Sequence, residues 1–569
     1  EATFEATFGE GYWVDHWIYN LDLLDAYLAV YPDRKDELLY GGAVVPYFDS
    51  PAFVQPRKGK TVLAGPGKVR QYGAVIVDEE KAALIASRCQ TPNLARTAHG
   101  RGEVFRTTVF GKLLGLALIK FSTLDPLGMG IEMDAGKPGW CDALNGLPGL
   151  FGSSMSETYE LLRLLQFLLA EVTAGGEAAA PLGTVSGRTV SLPVELADLL
   201  RQLVTQLTAY HSAFDAERDF SYWDAVADAR EAYRDRVRLG FDGRTETIAF
   251  ATLAPVLQAF RDKVAAGIAK AEALTSDVPP TYFTYEVQDY EALLDANGRP
   301  LTDDHGRPTV RVKRFSQHVL PAFLEGPMHA LKTRNDVAGA RALHQQIRAS
   351  ALYDHKLGMY KTNVSLAACS PEIGRLRAFT PGWLENESVF LHMAYKYLLE
   401  MLRAELYDEF FTDLRRGLIP FLDPQTYGRS PLENSSFLVS SAHPDDSLHG
   451  RGFVARLTGA AAEFLSLWSL MMAGPQPFTV HAGELCLAFK PTLPGWLFRE
   501  DGTLTFTFLG QCQVTYHKSQ PLEDGGQVAA ATLHLADGDR LSLPGSVIGA
   551  PYAAMIRNGE IRRIEMDLE

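Results

Sequence analysis

Three short stretches of this chain carry residue types that could do chemistry. The first, GKPGWCDALNGLPGLFG at residues 136–152, sets one carboxylate, Asp142, in a glycine-rich loop beside Trp140, Leu144, Asn145 and Leu147. A carboxyl group among apolar neighbours can be partly desolvated, which favours its protonated form and suits a general acid. The ordinary alternative is a turn aspartate that bonds its own backbone. The second stretch, GWLENESVFLH at 382–392, places Glu385 and Asn386 ahead of a helix whose first turns present His392. A lone helical histidine is more often a core or surface residue than a functional one. The third, HGRGFVARLTGAAAEF at 449–464, brings Thr458 and Gly459 to a helix start after a glycine-bearing turn. Unused N–H groups at a helix N-terminus, with a hydroxyl beside them, make an anion site; a plain threonine N-cap with no ligand has the same signature.

These loops need a scaffold, and from residue 14 to about 473 the dominant pattern is helical. VDHWIYNLDLLDAYLAVY puts Trp17, Leu21, Leu24 and Leu28 on one face, with Asp15, Tyr19 and Asp22 on another. PVELADLLRQLVTQLTAY repeats the pattern with Leu196, Leu199, Leu200, Leu203 and Leu207. SVFLHMAYKYLLEMLRAELYDEFF and GAAAEFLSLWSLMMAG are further long helices, the second ended by Gly474 and Pro475. Ser154 and Glu157 form an S-x-x-E capping box, so a helix is expected to start there with the Asp142 loop feeding it. Long Gly/Pro loops and the lack of regular strand alternation predict a helical barrel or bundle over residues 1–475. The stretch at about 184–330, with its turn-rich DANGRPLTDDHGRPT, reads as an elaboration on that domain. Past Pro475 the period changes to two, with Asp501-Gly502 and Asp537-Gly538 at hairpin turns. That predicts a small antiparallel β-domain over 476–569, a sandwich.

Composition bounds the function classes. A chain of 569 residues, 46% hydrophobic and 22% charged, can bury more than one core. A net charge of −15 excludes a basic field, so neither nucleic acid nor an anionic membrane is an expected partner. The five cysteines are scattered without zinc-type spacing, so no disulfide framework or structural metal is expected, and a reducing cytoplasm is the default. No run of 18 apolar residues predicts a membrane span. The chain opens on EATFEATF without methionine and reads as the edge of a longer protein.

Together, GWCDALNG, GWLENESVFLH and RLTGAAAEF resemble, in the same order, the W-N-D-G-x-N, E-N-G-G-x-x-x-H and W-L-T-G-T-A motifs of the cellobiose phosphorylase-like glycoside phosphorylases. The whole chain is similar to the catalytic half of that family, an (α/α)6 barrel followed by a small jelly-roll domain, with the family's N-terminal β-sandwich upstream of Glu1. GYWVDHWIYNLDLL and YGRSPLENSSFLVSSAHPDDSLHGRG are unlike the disaccharide enzymes, which points to the divergent β-1,3-glucan phosphorylase branch.

The resemblance implies an inverting enzyme. Asp142 would protonate the glycosidic oxygen while phosphate attacks the anomeric carbon from the other face. His392, Thr458 and Gly459 would hold that phosphate. Asp15, Asn20, Asp22 and Glu385 would bond sugar hydroxyls, and Trp140 would pack on the sugar. Phosphate is the co-substrate, with no metal and no organic cofactor, and the full-length protein would be a homodimer. Three departures stand out: Cys141 replaces the motif's asparagine, ENES replaces E-N-G-G, and VDHWIYNLD lacks the arginine that usually grips phosphate. Arg451, Arg456 and Arg429 are the nearby replacements, Arg451 foremost. Two other readings stay open: an inverting β-glucan hydrolase or transglycosidase with Asp15, Asp22 or Glu385 as base, and a carbohydrate-binding module without catalysis.

Overall fold

The computed structural model describes residues 14–137, 139–173, 187–334, 336–455, 459–518 and 526–569; the side chains of Val14, Asp15 and Ala455 are outside the description. It is helix-rich but not purely helical, with 43% helix and 23% strand, the strands lying in small sheets. Two compact units divide it. The first comprises residues up to Ile18, Leu39–Thr333 and Asn363–Phe379; the second comprises Tyr19–Leu38, Arg334–Thr362 and Thr380–Glu569.

In the first unit the helix Met155–Thr173 is the central element, packed by Val109–Phe121, Phe250–Glu272 and Glu325–Lys332. Its length follows from an uninterrupted apolar stripe: Met155, Tyr159, Leu161, Leu164, Leu165 and Leu168 are all buried. Phe121 and Phe260 stack across the bundle with ring centroids 4.0 Å apart. The helix starts directly after Ser154, as expected, but Glu157 does not close a capping box. Its carboxylate accepts from Trp17 Nε1 at 2.6 Å and pairs with Lys120 at 2.5 Å. A buried carboxylate offered two charged or aromatic N–H donors gains more from them than from one backbone amide.

The expectation of no strands among the helices needs correction. Tyr282–Ala292 and Val310–Val319 form a long antiparallel hairpin, joined through Ser153–Ser154 to Ile131–Glu132 in a four-stranded sheet. The alternation is in the sequence: Phe283, Tyr285 and Val287, and on the partner strand Val310 and Val312, are buried, while Arg311 and Lys313 are exposed. Gly298 and Gly306, both at φ 75°, turn the connecting loop.

The second unit holds the helices Tyr19–Leu28, Val337–Ala349, Leu391–Arg403, Tyr407–Gly417 and Gly459–Ala473. Leu391–Arg403 packs along Gly459–Ala473 and along Tyr407–Gly417. A three-stranded antiparallel sheet, Val389–Phe390, Ser435–Leu438 and Gly452–Ala455, lies at the roots of the first two. After Pro475 strands take over, with Gly502 and Gly538 at φ 77° and 92° in the expected turns. The sheets are not wholly antiparallel. In the five-stranded sheet Arg563–Leu568 inserts between the two hairpins, antiparallel to Val528–His534 but parallel to Cys512–Lys518. The preceding helix Tyr552–Arg557 reverses the chain and sets that direction. A second, three-stranded sheet combines Phe478–His481, Glu484–Ala488 and Val547–Ile548. The change of pattern at Pro475 is thus a change of element type within one compact unit. Among the described residues, no helix is long and apolar enough to cross a membrane.

Candidate functional site

Asp142 opens a single 3-10 turn, Asp142–Leu144, on a loop whose apolar residues face inward. Cys141, Ala143, Leu144, Leu147 and Leu150 join Tyr282, Leu320, Phe323, Ile373 and Leu376 in one buried cluster, against which Trp140 is partly packed. Cys141, at 2% exposure, sits in the core, where a small apolar thiol suits the space better than an amide. Asp142 does not follow its neighbours. Its side chain is 52% exposed and pairs with Arg375, Nη2 to Oδ2 at 3.0 Å. The expected desolvation by Leu144 and Leu147 is therefore absent, because those side chains turn into the core and leave the carboxylate at the surface.

The abundance of glycine and asparagine here has a specific cause. A second turn, Pro371–Ala378, is locked against the Asp142 loop backbone to backbone. Gly146 N–H donates to the Ile373 carbonyl at 3.2 Å, and Arg375 N–H donates to the Asn145 side-chain carbonyl at 3.1 Å. A Cβ on Gly146 would lie 1.9 Å from the Glu372 carbonyl oxygen. One on Gly374, at φ 128°, would lie 2.6 Å from the Ala143 carbonyl oxygen. No side chain fits at either contact. Glu372 is anchored in turn by Arg70 at 3.0 Å, and this guanidinium holds its carboxyl below the usual carboxylate range.

In the second unit two of the singled-out stretches meet. His392 is the second residue of the Leu391–Arg403 helix, and its ring lies on Gly459, the first residue of Gly459–Ala473. A Cβ on Gly459 would come within 2.3 Å of His392 Cε1 and 2.5 Å of both ring nitrogens. With the imidazole in this position there is no room for a Cβ. His392 Nε2 stands 3.3 Å from Glu463 Oε1, one turn further along the same helix. Thr458 and Arg456 lie outside the described residues.

The cation nearest to His392 on its own helix is a lysine. Lys396, one turn after His392 on its helix, donates to the Tyr19 hydroxyl at 2.9 Å and lies 4.7 Å from that ring's centre. Tyr19 begins the helix that also carries Asn20, exposed, and Asp22, half-buried. Tyr19 and Asp22 are spaced i, i+3, which sets them on one face. Arg451 instead lies against Gly428 and donates to the Ser447 carbonyl at 3.4 Å. Arg429 serves the Gly452 carbonyl at 2.9 Å. Among the described residues no contact ties either arginine to His392 or Gly459. Asp15 lies on the 3-10 turn Val14–Ile18 of the first unit.

Glu385 sits in the turn before Val389–Phe390, where Gly382 N–H donates to the Asn386 carbonyl at 2.8 Å. Glu387, which stands where the resembled motif has glycine, adopts φ 57°. That left-handed backbone costs an L-residue about 1–2 kcal/mol. Its buried carboxylate is met by Lys361 at 3.1 Å.

Arg375, Lys396 and Glu463 are the residues the sequence reading missed. The i, i+4 spacing of His392 with Lys396 and of Gly459 with Glu463 was a signal that could have found two of them. The Arg375 contact, 233 positions from Asp142, has no local signature.

The first unit also has an open cleft of about 210 Å³, whose lining includes Phe151, Trp223, Val310, Val312, Gln71 and Arg230. Asp142 does not line it. Among the described residues no group of three or more His, Cys, Asp or Glu side chains is placed to hold a metal ion. No family model matches this chain, and no curated protein matches it.

Proposed function

We propose that the protein is an inverting glycoside phosphorylase acting on β-linked glucan, β-1,3 in the first instance, on an (α/α)6-type scaffold followed by a small β-domain. The observation that carries this reading is the His392–Gly459 junction. A 15-residue helix begins under an imidazole, so the ring and the positive end of the helix lie at one point. An acidic protein can hold a dianion only where several such donors offset its desolvation. Lys396, one turn after His392 on its helix, is the cation this reading puts in place of the arginine the family would use.

In the reaction the bond between the anomeric carbon and the glycosidic oxygen breaks. Asp142 gives its proton to the departing oxygen, and a phosphate oxygen bonds to the anomeric carbon with inversion. The products are α-glucose 1-phosphate and a shortened chain. Phosphate is already nucleophilic, so no base carboxylate is needed. Asp15, Asn20, Asp22 and Glu385 bond sugar hydroxyls, Trp140 contributes an apolar surface, and Thr458 adds a hydroxyl to the phosphate pocket.

A second reading has one observation behind it. Glu463 puts a carboxylate 3.3 Å from His392, and an inverting hydrolase requires such a group to deprotonate water. A panel of β-glucans incubated with and without inorganic phosphate separates the two. Phosphate-dependent release of glucose 1-phosphate supports phosphorolysis. Equal cleavage to free sugar without phosphate assigns the reaction to a hydrolase, for which Glu463 is the base to test by substitution.

A further inference from the structure

We propose that Arg375 recognises the departing sugar, binding its hydroxyls beside the cleaved bond while it orients the Asp142 carboxyl. The assignment rests on the inverting phosphorolysis proposed above.

Its position relative to the acid is set by backbone. Arg375 N–H is held by Asn145 Oδ1 at 3.1 Å, and the preceding Gly374 is in van der Waals contact with the Asp142 loop in a conformation closed to other residues. From that fixed root the guanidinium reaches Asp142 Oδ2 at 3.0 Å. Both side chains are about half exposed, 53% and 52%, so both are open to a ligand. One carboxyl oxygen, Oδ2, is thereby engaged.

The stereochemistry of inversion decides which sugar the arginine meets. The proton goes to the glycosidic oxygen, which leaves with the departing sugar. The nucleophile enters on the opposite face, and in inverting glycosidases the acid stands about 6.5–9.5 Å from the group serving the nucleophile. A guanidinium in ion-pair contact with the acid is on the departing side. A phosphate bound there would also compete with Asp142 for the same N–H groups. Arginine presents five donors in a planar fork, a match for neighbouring hydroxyls, and the pair with Asp142 engages one edge of it. As a purely structural surface pair it would add little stability and would leave kinetics alone.

The test runs the reaction in reverse, from glucose 1-phosphate and a β-1,3-gluco-oligosaccharide acceptor, with the full chain. Arg375→Gln is expected to raise KM for the acceptor tenfold or more while KM for glucose 1-phosphate stays within twofold; Arg375→Lys should fall between. An unchanged acceptor KM, or equal rises for both substrates, overturns the assignment. If Arg375→Gln does not fold, judged by its thermal midpoint, Arg375→Lys carries the same comparison. A wild-type protein that transfers no glucosyl group from glucose 1-phosphate overturns the phosphorolysis reading, and this assignment falls with it.

Discussion

The Asp142 loop and the His392–Gly459 junction achieve close approach by opposite means. In the first unit two turns lock main chain to main chain, and the Asp142 side chain is left at the surface beside a cation. In the second, a side chain lies on a helix end and faces a carboxylate. Glycine is indispensable in both, yet what it admits differs: the Glu372 carbonyl at Gly146, an imidazole at Gly459. A backbone lock fixes geometry without regard to the ligand. A ring held by a carboxylate can change its hydrogen bonding when an anion arrives. The first arrangement suits an acid that must not move, the second a binding group that must adapt.

The largest effect should come from the fixed acid. Asp142→Asn keeps the shape and the Arg375 contact but has no proton to give, so turnover should fall by about 10²–10⁴ with the thermal midpoint unchanged. A loss below tenfold on a substrate with a poor leaving group would show that Asp142 is a bystander. Next is the lock that positions it. Gly146→Ala forces a methyl group into the Glu372 carbonyl, which must part the two turns. The expected outcome is a lower thermal midpoint together with about a 10²-fold loss in kcat, the cost of an acid misplaced by roughly 1 Å.

The adaptable region should respond in KM. His392→Ala is expected to raise KM for phosphate about tenfold or more and KM for glucan far less, with a parallel loss in the reverse reaction. Glu463→Gln removes the negative charge beside the proposed anion pocket, so KM for phosphate should drop or hold. Abolished activity in Glu463→Gln would reverse the comparison and make the second region the seat of a base.

How much of this was legible follows from the range of each interaction. Helix positions came from apolar spacing, a local property: Leu196, Leu199, Leu200, Leu203 and Leu207 are all buried on one helix. The C-terminal turns at Gly502 and Gly538 were equally local. The hairpin Tyr282–Val319 is not expected from the sequence because the helical period dominates on both sides of it, although Phe283, Tyr285 and Val287 alternate. The glycines were visible, but their purpose was not, since it is set by Glu372 and His392, distant along the chain. The exposure of Asp142 was misjudged for the same reason. Apolar neighbours in sequence predict desolvation only if they point the same way, and here Leu144 and Leu147 point into the core.

The smallest expected effect on activity lies at Glu387, where the chain departs from the glycine of the resembled motif. Glycine at φ 57° removes a left-handed cost of about 1–2 kcal/mol, while added freedom of the unfolded chain returns about 0.4–1 kcal/mol of it. Those terms nearly cancel. What remains is the ion pair with Lys361, whose partners are only 11% and 12% exposed. Removing one partner of a buried pair leaves the other charge without compensation. Glu387→Gly should therefore lose stability by about 1 kcal/mol or more, with kcat and both KM values within threefold of wild type. Adding Lys361→Met removes the stranded charge, and the double variant should recover wild-type stability or exceed it. Thermal or urea unfolding of the three proteins checks this. A double variant no more stable than the single would mean that the pair contributes nothing, and that the left-handed glutamate is tolerated for a reason outside this contact.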